Sequence, residues 1–165
     1  MPTHPINPVY DGNSKILILG SFPSVKSREV NFFYGHPQNR FWRVLSALLD
    51  LKNDATVEEK RLFLLQNHIA VWDVISSCEI EGSADSTIKN ASANDISVIL
   101  KAADISAIFV NGKTAEKYYN KYIREKIQRD AICLPSTSAA NAAYSLDGLV
   151  GEWKKILPFI KQADR

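Results

Sequence analysis

Several things are in short supply in this chain, and each shortage removes a class of protein. Its only two cysteines, Cys78 and Cys133, cannot supply the four ligands of a zinc ribbon or an iron–sulfur cluster. Neither sits in a C-x-x-C setting, so both read as reduced, packed thiols of a cytosolic protein. The glycines never fall into the G-x-x-x-x-G-K-[ST] or G-x-G-x-x-G spacing, which disfavours nucleoside triphosphate and dinucleotide binding. No apolar run approaches the length of a membrane span, and the opening MPTHPINPVY lacks a basic stretch followed by an apolar one. A cytoplasmic protein with no membrane partner is expected. Charge of one sign is also missing: a formal net charge of +2 and a pI near 8.5 permit a polyanionic partner without demanding one. No paired carboxylates, metal-ligand cluster or Ser/His/Asp set is visible, so no metal and no cofactor is expected.

What the chain does have is the composition and length of one globular domain, here residues 1–165, with enough apolar content for a substantial core. Four short apolar runs, 15–19, 69–73, 105–110 and 131–134, read as buried strands. Between them lie helical patterns. Phe41, Val44, Leu45, Leu48 and Leu49 share one face, with Pro37 suited to the first helical position. Thr56 caps a helix over 56–67 that carries Glu58 and Glu59 in its first turn. Segments 95–103, 114–127, 138–144 and 149–161 complete the helical set. Strands alternating with helices predict an α/β fold, a four-stranded parallel sheet between helices.

Open parallel sheets bind ligands beyond the carboxyl ends of their strands. Three loops expected there are rich in small and hydroxyl residues: GSFPS after the first strand, NGKT after the third and LPSTSAAN after the fourth. Exposed backbone N–H groups in such loops suit an anion or a close-lying phosphate. The polar inventory of that edge is Ser21, Tyr34, His36, Asn39, Asn111, Thr137, Ser138 and Asn141, with Phe22, Phe33, Tyr34 and Trp42 as aromatic walls. A site of amides, hydroxyls and rings can stack a flat heterocycle, hydrogen-bond its edge and polarise a leaving group through neutral donors.

The stretch GSFPSVKSREVNFFYGHPQNRFW, taken with LPSTSAAN, resembles the uracil-DNA glycosylase superfamily, and within it the hypoxanthine-DNA (DNA-deoxyinosine) glycosylase branch. The resemblance covers nearly the whole chain. It implies a monofunctional glycosylase that flips a deaminated base, hypoxanthine or uracil, out of DNA and hydrolyses its N-glycosidic bond in base excision repair. Asn39 of H-P-x-N-R-F-W matches the catalytic asparagine of that branch. The base pocket is then Gly20, Ser21, Phe22, Pro23 and Tyr34, with Tyr34 where the superfamily places the ring that stacks on the extruded base. Pro135 and Ser136 match the pair that pinches the DNA backbone, and Thr137, Ser138 and Ala139 the segment that fills the hole left by the flipped nucleotide.

The chain departs from the superfamily at three points. Phe22 stands where most branches carry a water-handling Asp or Asn, Leu134 where relatives often have histidine, and Ala139 where many of this branch have proline. The first departure keeps a non-catalytic nucleic-acid-binding protein in play; an α/β domain binding a nucleotide or small metabolite is the other alternative. Asn39 can serve either the attacking water or the departing base. Asp73, Asp85 and His36 fit loop capping as well as catalysis. Lys113, Lys117, Lys121 and Arg124, with Tyr118 and Tyr122, form a basic stripe that suits a solvated helix face or DNA phosphates. The expected partner is DNA containing deaminated bases, met by a monomer.

Overall fold

The structure, a computed structural model, describes residues 3–160. Its centre is strand β1 (Ile16–Gly20), whose alternate side chains enter two different cores. A strand buried on both faces is apolar at every position, and ILILG is. Strand β2 (Ile69–Asp73) pairs in parallel on one side of β1. On the other side come β5 (Ala107–Asn111) and then β6 (Ile132–Leu134), giving the parallel order β2-β1-β5-β6. The expected four-stranded parallel sheet is therefore present.

One face of the sheet is covered by α2 (Phe41–Leu49), α3 (Val57–Gln66), α7 (Leu146–Trp153) and the short α8 (Leu157–Ile160). Thr56 closes a capping box with Glu59 at the start of α3, as its sequence suggests. The other face is covered by α4 (Ser97–Ala102), α5 (Lys113–Tyr122) and a hairpin of β3 (Ile75–Glu79) and β4 (Lys89–Ala93). That hairpin and the short α1 (Val25–Val30) carry too little periodicity to be read in sequence: α1 has only six residues, and the strands ISSCE and KNASA are mostly small or polar. Residues near the N-terminus pad the free edge of β2: Val9 and Val71 exchange backbone hydrogen bonds of 3.0 and 2.9 Å. Among the described residues no helix is long and apolar enough to cross a membrane.

Four helical expectations change. Segment 138–144 is a series of turns, because Arg40 of a distant element takes up the Ser138 and Asn141 carbonyls, and the helix that follows begins only after its cap Ser145. The stretch 114–127 breaks at Ile123 into α5 and α6 (Arg124–Ile127). Pro37 does not open α2. It lies in a turn, and α2 starts at Phe41 after Arg40. The last expected helix, 149–161, starts earlier and is interrupted: α7 gives way to a 3₁₀ turn (Lys154–Ile156) and then α8, where Pro158 has no N–H to continue the helical ladder, and residue Lys161 lies outside the described residues.

Candidate active site

The carboxyl ends of β1, β5 and β6 lie side by side, so the three polar loops meet at one edge of the sheet. At the end of β1 the absence of a side chain on Gly20 decides what can assemble. A Cβ there would collide with the Asp73 carboxylate and would lie 2.9 Å from the Tyr34 hydroxyl. Gly20 thus lets an acid from β2 and a phenol from the following loop close over the strand end.

Tyr34 adopts a left-handed backbone, φ 52°, in the turn that precedes Gly35. One face of its ring stacks on Phe41 at 3.9 Å and 19°. The opposite face has no aromatic partner among the described residues. Its hydroxyl is fully enclosed and has no hydrogen-bond partner among the described residues. Burial, reinforced by the charge of Asp73, holds that phenol well above the usual tyrosine range, so it is a donor throughout the neutral region. Asp73 itself is buried and committed: its Oδ2 accepts from His4 Nε2 at 2.7 Å. His4 Nδ1 accepts from the Ile6 N–H at 3.2 Å, which fixes the ring proton on Nε2.

Asn39 sits just before α2, one residue ahead of the cap position. The turn 36–39 that delivers it is closed by His36, whose carbonyl accepts from Asn39 N and whose Nδ1 accepts from Gln38 N. His36 is therefore a turn-builder. Asn39 Oδ1 accepts from Phe41 N at 2.9 Å and from Thr137 Oγ1 at 2.8 Å. Because a backbone N–H can only donate, the atom facing Phe41 is the oxygen, and the amide NH2 points the other way. No partner among the described residues takes up that Nδ2.

Thr137, fully buried, ties this asparagine to the sheet. Asn111 at the end of β5 donates through Nδ2 to Thr137 Oγ1 at 3.0 Å and accepts from Thr137 N through Oδ1 at 3.0 Å. The result is a fixed chain, Asn111 to Thr137 to Asn39, joining the first motif to the second. Arg40 adds the outer clasp: Nη1 donates to Tyr144 O at 2.5 Å, and Nη2 to Ser138 O and Asn141 O at 2.9 and 3.0 Å. Its own N–H donates to Thr137 O at 2.9 Å. Beneath the loop, Pro135 O accepts from the buried Trp153 indole at 3.0 Å. Ser136 lies against Gly112, whose φ of 94° and 2.9 Å approach to the Ser136 Cβ leave no room for a side chain.

The remaining candidates divide. Ser21 is at the mouth, donating to the Asp85 carboxylate at 3.0 and 3.1 Å. Phe22 and Pro23 are buried; the Phe22 ring lies edge-on to His4 at 6.1 Å with Arg28 over its face. Of the other rings expected as walls, Phe33 is only 2% exposed, in the core, and Trp42 donates its indole N–H to Phe33 O. Ser136 and Ser138 are half-buried and Ala139 is exposed at the loop tip. In the basic stripe, Arg124 pairs with Asp130 at 2.5 Å, while Lys117 and Lys121 lie over Tyr118 and Tyr122. Sequence reasoning missed His4, for which no local signal exists, and the clasping role of Arg40. An arginine just ahead of an apolar helix, with no acid nearby in sequence, was the available sign for the latter. Among the described residues no cluster of three or more His, Cys, Asp or Glu could hold a metal ion.

Comparison with known proteins bears on the family and the fold. The profile of the Uracil DNA glycosylase superfamily matches residues 8–157. A hypoxanthine DNA glycosylase of Methanosarcina acetivorans is 35% identical over 150 residues, 90% of this chain and 93% of that protein. One of Methanosarcina barkeri is 35% identical over 136 residues, covering 81% and 85%. The solution structure of a proposed uracil DNA glycosylase from Methanosarcina acetivorans superposes with a TM-score of 0.80 at 32% identity, covering 94% of this chain and 96% of the other. A match over nearly the whole chain, in sequence and in fold, places the protein: it belongs to the uracil-DNA glycosylase superfamily.

Proposed function

We propose that this protein is a monofunctional DNA-deoxyinosine glycosylase, acting as a monomer on DNA that contains deaminated bases. The names of the two relatives support hypoxanthine as the base. The observation that carries the mechanism is the bonding of Asn39. With two donors already on Oδ1, the amide has its N–H groups left to offer, beside the first turn of α2. A departing purine leaves with the glycosidic electron pair on its ring. Donors held in place before the reaction, aided by a helix N-terminus, stabilise that charge. This favours the departing base over the attacking water as the partner of Asn39. Thr137 and Asn111 keep the amide from rotating, so its orientation costs nothing at the moment of bond cleavage.

The stacking role is supported by the ring of Tyr34, braced from one side by Phe41 and without a second aromatic partner among the described residues. The loop 135–139, pinned by Arg40 and Trp153 and narrowed at Gly112, is suited to press on a bent DNA backbone and to enter the stack. None of the candidate site residues is a lysine that could serve as an attacking amine, so the expected product is an abasic site without strand cleavage. The test is a duplex containing one deoxyinosine, incubated with the protein and then treated with alkali. Alkali-labile strands are expected, intact before the treatment. A duplex that is bound but stays alkali-stable would make this a binding protein of the same fold.

A further inference from the structure

Asn39 serves the leaving base in this reading, and the usual water-handling position holds Phe22, so the reaction still needs a group for the proton of the attacking water. Two acids lie near the end of β1. Asp73 is closed off: its side chain is 5% exposed, and its oxygens are taken up by His4 and the contact over Gly20. Asp85 is different. It sits in the loop between β3 and β4, at the start of a single 3₁₀ turn (Asp85–Thr87), and its residue remains open to solvent. Three contacts hold that loop over the site: Ser21 Oγ donates to both carboxylate oxygens, Val25 N to Ser83 Oγ at 2.9 Å, and Arg28 Nη2 to Gly82 O at 3.0 Å. Ser21 is the neighbour of Phe22, so the carboxylate is placed beside the position its superfamily counterparts occupy.

Resting on the glycosylase reading above, we infer that Asp85 is the general base of the reaction, held by Ser21 in place of the acid or amide that Phe22 displaces. In the step, the water oxygen bonds to C1′ of the flipped deoxyinosine while the C1′–N9 bond breaks. The electron pair of that bond leaves on hypoxanthine, which takes up a proton from solvent. The water's proton passes to the Asp85 carboxylate and then to solvent. The products are free hypoxanthine and an abasic sugar.

The surroundings suit the task. Although the residue as a whole is exposed, its neighbours partly desolvate the carboxyl and raise it from its ordinary value; the Ser21 hydrogen bond opposes this rise and the charge of Asp73 adds to it. A carboxylate moved toward neutrality is a stronger base. Around it are Ser21 from the end of β1, Asp73 with its partner His4, the Tyr34 phenol, Cys78 of β3 and Arg28 of α1. Asp85 is the open carboxylate of this group.

The experiment is single-turnover release of hypoxanthine from a deoxyinosine duplex across pH 4–9, for the wild type and for Asp85→Asn, with duplex binding measured alongside. The wild-type rate should rise through an acid limb as the carboxyl ionises. Asp85→Asn keeps an acceptor for Ser21; it should bind the duplex as the wild type does, react about 10²–10⁴-fold more slowly at neutral pH, and lose the limb. Ser21→Ala removes the hydrogen bond that opposes the upward shift, so it should move the limb to higher pH. An Asp85→Asn rate within about fivefold of wild type, or an acid limb unchanged in Asp85→Asn and unmoved in Ser21→Ala, would overturn the assignment and leave Asp85 a loop anchor. A wild type with no release at any pH would instead refute the glycosylase reading itself.

Discussion

Replacing Arg40 by methionine keeps the unbranched stem and removes the guanidinium. Three carbonyls, of Ser138, Asn141 and Tyr144, lose a charged donor at 2.5–3.0 Å. Hydrogen bonds to charged groups are worth about 1.5–3 kcal/mol each, which additively would exceed 4 kcal/mol. The sum overshoots for two reasons. The three acceptor residues are only half-buried, so water replaces part of what is lost. The freed side chain also regains rotamer entropy of up to about 2 kcal/mol. A net destabilisation of about 2–4 kcal/mol remains, or a fall in Tm of roughly 5–15 °C for a chain of this size. Lysine at this position should recover less than half, since one ammonium cannot meet three carbonyls that the planar fork reaches together. Thermal unfolding followed by circular dichroism measures the first effect. Binding of a deoxyinosine duplex measures the second, because loop 135–139 loses its clasp and affinity should fall with it. A methionine variant melting within about 2 °C of wild type would show that the guanidinium does not hold the loop, and the account of how the two motifs are joined would fail.

Gly112→Ala should destabilise by about 1–3 kcal/mol, since the fold holds this position at φ 94°, where a Cβ is strained, and the new Cβ would lie 2.9 Å from that of Ser136. Urea denaturation reads the loss, and a stability equal to wild type would place Ser136 elsewhere. Burial raises both thiols, Cys78 and Cys133, so the thiolate fraction at pH 8 is smaller than for a free cysteine. Iodoacetamide should therefore label the folded protein more slowly than a small thiol at pH 8 and gain speed as pH rises; labelling as fast as the small thiol would contradict the packing of both.

The sheet was legible because a strand buried on both faces has to be apolar throughout, and ILILG and IAVWD have few other uses. Ser138–Tyr144 misled for a reason that lies far away in the chain. Its small residues permit a helix, and only Arg40, about a hundred positions earlier, makes turns the better arrangement. The same long reach hid His4, whose partner Asp73 is 69 residues away. Asn39 was recognisable by motif, but what its amide faces was not. That follows from the Phe41 N–H and the Thr137 hydroxyl, which no spacing in the sequence records. Asp85 fitted loop capping as well as catalysis in the sequence, and only the fold shows its carboxylate against Ser21.

The central claim is that the Asn39 amide stabilises the departing base in hydrolysis of deoxyinosine. Its most direct test is free hypoxanthine, quantified by mass spectrometry under single-turnover conditions, from one duplex treated with wild type or with Asn39→Ala. Losing one preorganised donor costs about 2.7–4 kcal/mol in the transition state, so the variant should bind the duplex normally and release hypoxanthine about 10²–10³-fold more slowly. Release at the wild-type rate by a folded Asn39→Ala protein would contradict the account.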